Sequence, residues 1–203
     1  MNMLFPTALF TGKISDYSLC DRAEKKLLEM RRAGQGARDA HGVYITPDDL
    51  HVLPEFKDLS KLVLDEANEI LNVYKVKRSS HYITNMWANI THPNHRHHMH
   101  IHPNCLLSGI FYVRMPDKCG PTVFADPRLH ARMLEPTFTE LNIHNSSTFV
   151  AAPEKGRMLI WPSYLSHGVE IGRAAPGDQR IVIAFNIMIR GTFDRPSARL
   201  ELR

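Results

Sequence analysis

The chain has 203 residues, 43% of them hydrophobic, and a formal net charge of +4 from 25 basic and 21 acidic side chains. That length suits one domain able to bury a full core, and the basic residues are scattered, without the dense stripe and interleaved aromatics that would indicate nucleic-acid binding. Three spaced cysteines, Cys20, Cys105 and Cys119, with no C-x-x-C pair, fit a reduced cytoplasmic protein better than a disulfide-stapled secreted one. The apolar start carries a proline and no preceding basic region, which argues against a signal peptide, and no apolar run approaches membrane-spanning length.

In chain order, the spacing predicts a helix from Ser18, as its cap, to about Ala33. Leu19, Ala23, Leu27 and Met30 form its apolar stripe and Gly34 its stop. A second helix follows Pro54, with Phe56, Leu59, Leu62, Val63, Ala67, Ile70, Leu71 and Tyr74 at three-and-four spacing. Together these make a helical support region over residues 1–78. Beyond it the period changes to two, with short β-rich runs at 80–90, 98–102, 107–115, 122–125, 148–152, 157–161, 168–171 and 179–190. Seven or eight strands behind two helices predict a mainly β fold with flanking helices. The expected architecture is a β-sandwich or jelly roll over 79–191 whose outer face the helices cover, followed by a tail over 192–203. The weakly patterned stretch 126–147 reads as a lid or insertion.

Six of the twelve histidines fall between His92 and His102, and His167 stands alone downstream. Neutral imidazole is a common ligand of iron, zinc, copper and nickel, and residues two apart on a strand share a face. His98, His100 and His102 could therefore bring two nitrogens to one ion, with a third ligand from a distant strand. A solvated histidine-rich loop that picks up metal loosely has the same composition. The last strand is equally informative. One face, Ile181, Ile183, Phe185, Ile187 and Ile189, suits packing under helices, while the other sets Arg180 and Asn186 among Val182, Ala184 and Met188. An arginine buried without a partner is costly, so that second face either meets water or lines a cavity where the planar fork of Arg180 holds a carboxylate.

A His-x-His on an early strand, a lone histidine on a late one and an arginine on the last strand together resemble the 2-oxoglutarate/Fe(II)-dependent oxygenases. The likeness runs through His100-Ile-His102-Pro103, Ser108-Gly-Ile-Phe-Tyr112, Phe124-Ala-Asp126-Pro-Arg128, Pro162-Ser-Tyr-Leu-Ser-His167 and Arg180-Ile-Val-Ile-Ala-Phe-Asn186, all within residues 85–186. It implies a double-stranded β-helix, a cupin-like jelly roll, with Fe(II) and 2-oxoglutarate as cofactors. It also implies a dioxygenase that couples decarboxylation of 2-oxoglutarate to succinate with hydroxylation of a substrate C–H bond by O2. His102 stands where the family usually has a carboxylate. The resemblance then implies His100, His102 and His167 as metal ligands, with Asp126 and His98 as alternates. Arg180, Tyr112 and Asn186 would bind the cofactor, and Asn89, Trp87 and Asn104 would line the substrate pocket. Two other readings stay open: a three-histidine cupin-type dioxygenase that needs no 2-oxoglutarate, and a non-catalytic metal-binding protein on the same fold. The sequence does not select the substrate, a peptidyl residue or a small metabolite, or the oligomeric state, a homodimer included.

Overall fold

The computed structural model describes residues 5–40, 42–92, 94–128, 133, 136–175, 177–194 and 197–203. The elements run β1 (Phe10–Lys13), α1 (Ser18–Arg32), β2 (Ala37–Arg38), β3 (Tyr44–Ile45), two 3₁₀ turns, α2 (Lys57–Val73), β4 (Ser80–Thr91), β5 (His97–His100) and β6 (Leu107–Arg114). They continue with β7 (Thr122–Ala125), β8 (Thr148–Ala151), β9 (Arg157–Pro162), β10 (His167–Val169), β11 (Arg180–Phe193) and β12 (Leu200–Leu202).

Helix α1 starts at Ser18 as expected, but the capping group is Asp16. Its carboxylate accepts the Ser18 backbone N–H at 2.9 Å and the Ser18 hydroxyl at 2.8 Å. At the other end Gly34, at φ +72°, donates its N–H to the Arg31 carbonyl, and Gln35 donates to Met30. This paired return closes a helix on a left-handed residue, which glycine adopts without a Cβ clash.

The strands form two antiparallel sheets. The larger has the order β1-β9-β6-β11-β4-β3-β2, with β12 added to β11, and the smaller has the order β5-β10-β7-β8. This is the mainly β jelly roll with two helices that the pattern predicted. The apolar row of β11, from Ile181 to Ile189, is buried under the helices with Leu27, Leu59, Val63 and Leu71. Each such side chain taken out of water contributes roughly 1.5–3 kcal/mol. A second, smaller cluster of Tyr112, Phe124, Leu159, Trp161, Leu165 and Val182 includes residues of both sheets.

Four short strands, β1, β2, β3 and β12, were not anticipated. The residues before β4 are not all helical, since β1 pairs with β9 and β3 with β4, and the tail returns as β12 against β11. The two-residue strands β2 and β3 are too short to carry a period, and the pairing of all four is set by the free edge they meet. One irregularity matters for the site. Asn186 pairs with Asn85 and Ile187 with Ile83, so Thr84 is an extra residue in β4. Such a bulge turns Asn85 to the same face as Trp87 and Asn89 while Ile83 stays on the helix side.

Candidate active site

Strands β5 and β10 pair with His100 opposite His167. Gly168 permits that approach, because a Cβ there would lie 2.7 Å from the His97 carbonyl oxygen. His102 follows two residues after His100, and one ring nitrogen from each of His100, His102 and His167 lies within 4.8 Å of the others. The Nε2 atoms of His100 and His102 are 3.2 Å apart.

Each Nδ1 is committed to an oxygen. His100 Nδ1–H donates to the His98 carbonyl at 2.8 Å, His167 Nδ1–H to the Leu165 carbonyl at 3.0 Å, and His102 Nδ1–H to the Asn186 amide oxygen at 2.6 Å. A carbonyl oxygen can only accept, so the protons sit on Nδ1 and three Nε2 lone pairs converge. Two lone pairs at 3.2 Å repel unless they share a cation, and metal–nitrogen bonds of about 2.1 Å at near right angles bring nitrogens to roughly that spacing. The donor set therefore fits a divalent transition-metal ion. Burial also favours the neutral form of two of these imidazoles: His167 is pushed down to about 3, and His102 is held below its usual range by burial against the opposing effect of Asn186.

The two alternate ligands lie elsewhere. The Asp126 carboxylate is clasped by Arg128, with Nη2 to Oδ2 at 2.7 Å and Nε to Oδ1 at 2.9 Å, and it is not in the cluster. His98 is exposed, and its backbone carbonyl accepts from His100.

Arg180 is 5% exposed, with its guanidinium carbon 5.7 Å from the centre of the Tyr112 ring. Its buried Nε has no hydrogen-bond partner. The ionisable groups nearest it are Tyr112 and Cys119, both pushed up by burial and so uncharged near neutrality. A cation thus sits inside the fold with no anion beside it among the described residues, which is the arrangement a carboxylate ligand would complete. Tyr112 itself shares a 2.7 Å hydrogen bond with Thr122.

The remaining expected residues divide. Trp87 and Asn89 pair across β4 and β11 with Ala184 and Val182, on the face that carries Arg180 and Asn186, and the Trp87 ring lies 5.9 Å from that of His102. Asn104 is in the exposed turn after His102, at φ +61°. Asn186, expected beside the cofactor, spends its amide on His102, Ser108 and Asn85. Sequence reasoning passed over Asn85, Ser108 and Ser163, and the ring of the buried Trp161 lies 4.6 Å from that of His167. Ser108 and Ser163 lay in plain view in the motifs, whereas Asn85 was hidden by the bulge. A separate apolar cavity of about 910 Å³ lies behind Phe124 and Leu165, lined by Phe5, Leu9, Leu141 and Ile143 and by none of the three clustered histidines.

Residues 85–186 match the model of a protein family described as "Putative 2OG-Fe(II) oxygenase". No curated protein matches the sequence. Among solved structures, a Pseudomonas putida prolyl-4-hydroxylase is similar at TM-score 0.64 and 12% identity, over 91% of this chain and 94% of that one. The non-heme alpha ketoglutarate dependent epimerase SnoN from nogalamycin biosynthesis aligns at TM-score 0.68 and 9% identity, over 93% and 79%. HygX from Streptomyces hygroscopicus, with nickel and 2-oxoglutarate bound, aligns at TM-score 0.59 and 12% identity, over 90% and 83%.

Proposed function

Since the chain belongs to the 2OG-Fe(II) oxygenase family, and is thus an oxidoreductase with Fe(II) and 2-oxoglutarate as cofactors, we propose that it hydroxylates a C–H bond of its substrate. In this reading His100, His102 and His167 hold the iron, and Arg180 binds the far carboxylate of 2-oxoglutarate. The observation that carries it is the buried, anion-free Arg180 guanidinium in the same fold as three converging Nε2 atoms.

Iron and 2-oxoglutarate, when bound, would supply the oxidative chemistry: oxidative decarboxylation of 2-oxoglutarate gives two of the four electrons that O2 takes and the substrate C–H bond the other two, one oxygen atom entering the substrate and the other the succinate formed with CO2. The chain's own residues do the rest by position. His100, His102 and His167 enter as neutral imidazoles and bring no negative charge, so the anionic cosubstrate is what offsets the ion. Arg180 aligns one end of a dicarboxylate through its planar fork, and the buried walls of Tyr112, Trp161 and Val182 keep water out. Trp87 and Asn89 lie on the same face and are the proposed substrate contacts.

The test is an anaerobic titration with Fe(II) and 2-oxoglutarate. The chelate should give a weak visible charge-transfer band, and admission of O2 should yield succinate together with a substrate heavier by one oxygen atom. Absence of the band at saturating ligand would favour a metal-binding protein without this chemistry, and a product of unchanged mass would remove hydroxylation.

A further inference from the structure

We propose that Asn186 is a positioning residue for His102, and that a one-way chain of donors through Cys105, Ser163 and Ser108 fixes the amide so that His102 can present Nε2. The proposal rests on the reading of His102 as a metal ligand.

The chain is continuous. The Cys105 thiol lies 3.2 Å from Ser163 Oγ, Ser163 Oγ lies 2.8 Å from Ser108 Oγ, and Ser108 Oγ lies 2.8 Å from Asn186 Oδ1. On its other side the Asn186 amide nitrogen donates to Asn85 Oδ1 at 2.9 Å, an oxygen that also accepts from the Thr84 hydroxyl at 3.0 Å. Ser108 is fully buried, and Ser163 and Asn186 are 2% and 7% exposed, so water cannot substitute for a missing partner. The backbone is tied into the same unit, since His102 N–H donates to the Ser163 carbonyl at 3.1 Å.

Direction is what gives the chain meaning. Each hydroxyl has one proton, so if Ser108 donates to Asn186, then Ser163 donates to Ser108 and the Cys105 thiol to Ser163. Asn186 then faces His102 with its oxygen, and the imidazole proton must lie on Nδ1. Were the order reversed, the amide NH2 would face His102, the proton would move to Nε2, and the lone pair needed for an ion would be lost. The chain therefore converts four polar side chains in the motifs into one choice of tautomer. An amide makes that choice while adding no charge to the interior, which a carboxylate would.

The experiment uses metal-free protein labelled with 15N in histidine, and Co(II) as the metal probe. In the wild type the His102 Nδ1–H should appear as a downfield, slowly exchanging proton. Asn186→Leu should abolish that signal and weaken Co(II) binding by roughly 10–100-fold. Asn186→Asp, which keeps an acceptor at the same place, should retain the signal and most of the affinity. A role confined to packing predicts the opposite for Asn186→Asp, because the bond to Asn85 becomes a repulsion between two acceptors. Should Asn186→Leu not fold, Ser108→Ala carries the test: freeing the amide to turn should broaden the Nδ1–H signal and weaken Co(II), and wild-type behaviour of both would overturn the proposal. Equal losses in Asn186→Asp and Asn186→Leu would also overturn it. His102→Ala separates the two layers. If it binds Co(II) as the wild type does, the ligand reading itself fails, and if it loses Co(II) while Asn186→Leu does not, only the positioning role fails.

Discussion

His100 and His167 face each other across antiparallel β5 and β10, with ring centroids 4.3 Å apart. Two residues from strands more than sixty positions apart are thus held by a backbone ladder rather than by flexible loops. Removing either ring should leave that ladder intact and delete a ligand. His100→Ala and His167→Ala are expected to retain the far-ultraviolet dichroism of the wild type, and to lose more Fe(II) affinity in anaerobic calorimetry than the roughly 10–100-fold typical of a lost outer partner.

As the proposed holder of the cosubstrate carboxylate, Arg180 should set stability against binding. A guanidinium buried without an anion destabilises the ligand-free protein, so Arg180→Met, which keeps the apolar stem, should raise its thermal midpoint. The same change should weaken 2-oxoglutarate binding by roughly a hundredfold to ten-thousandfold, since two charge-assisted hydrogen bonds at about 1.5–3 kcal/mol each would be lost. The two measurements are a melting curve without ligand and a 2-oxoglutarate titration. A lower midpoint or unchanged succinate formation would contradict the assignment.

Acid should destabilise the metal-free protein in a defined window. Burial holds His167 down at about 3, whereas the unfolded chain protonates near the ordinary histidine value of about 6.5. Between those limits the unfolded state binds the extra proton, so stability is fully present above the unfolded value and declines as pH falls toward the folded one. The slope is about 1.4 kcal/mol per pH unit for one such group. Denaturant unfolding of metal-free protein at several pH values measures it, and His167→Gln should flatten this component.

Gly168 should tolerate no side chain. A valine there would meet the His97 carbonyl and push β5 off β10, which overpacking places at about 1–3 kcal/mol. Gly168→Val should therefore lower the melting temperature and also weaken Co(II) binding, although no ligand has been altered. Unchanged metal affinity would mean that the strand spacing does not govern the site.

The two helices and the long strands β4, β6, β9 and β11 were legible because their apolar residues repeat at 3.6 or at 2 over enough positions, while the short β5, β7, β8 and β10 were marked off by the turn residues around them. The face of β11 with Ile181 to Ile189 lies under the helices as the alternation requires. The short strands β1, β2, β3 and β12 were not, because their pairing is decided by a neighbour's edge. At the site, motif order brought His100, His102 and His167 into view, and the cluster contains those three. The role of Asn186 could not be read the same way: its strand phase points inward, but whether an inward amide meets a cofactor or a ligand ring depends on where His102 lies after β5 has ended. Asn85 was obscured by Thr84, since counting from Ile83 and counting back from Trp87 assign it to opposite faces.

The histidine site is also a joint between the two sheets. His100 and His167 belong to the smaller sheet, while His102 is pinned by Asn186 of β11, which Ser108 of β6 holds in turn, both in the larger one. If an ion is held by all three rings, as proposed, it would brace the two sheets against each other as well as serve chemistry. At a free metal concentration a hundred times its dissociation constant, that brace adds about 2.7 kcal/mol to folding. Metal-loaded protein should then resist added protease longer than the metal-free form, so metal supply would bear on how much folded protein there is as well as on turnover.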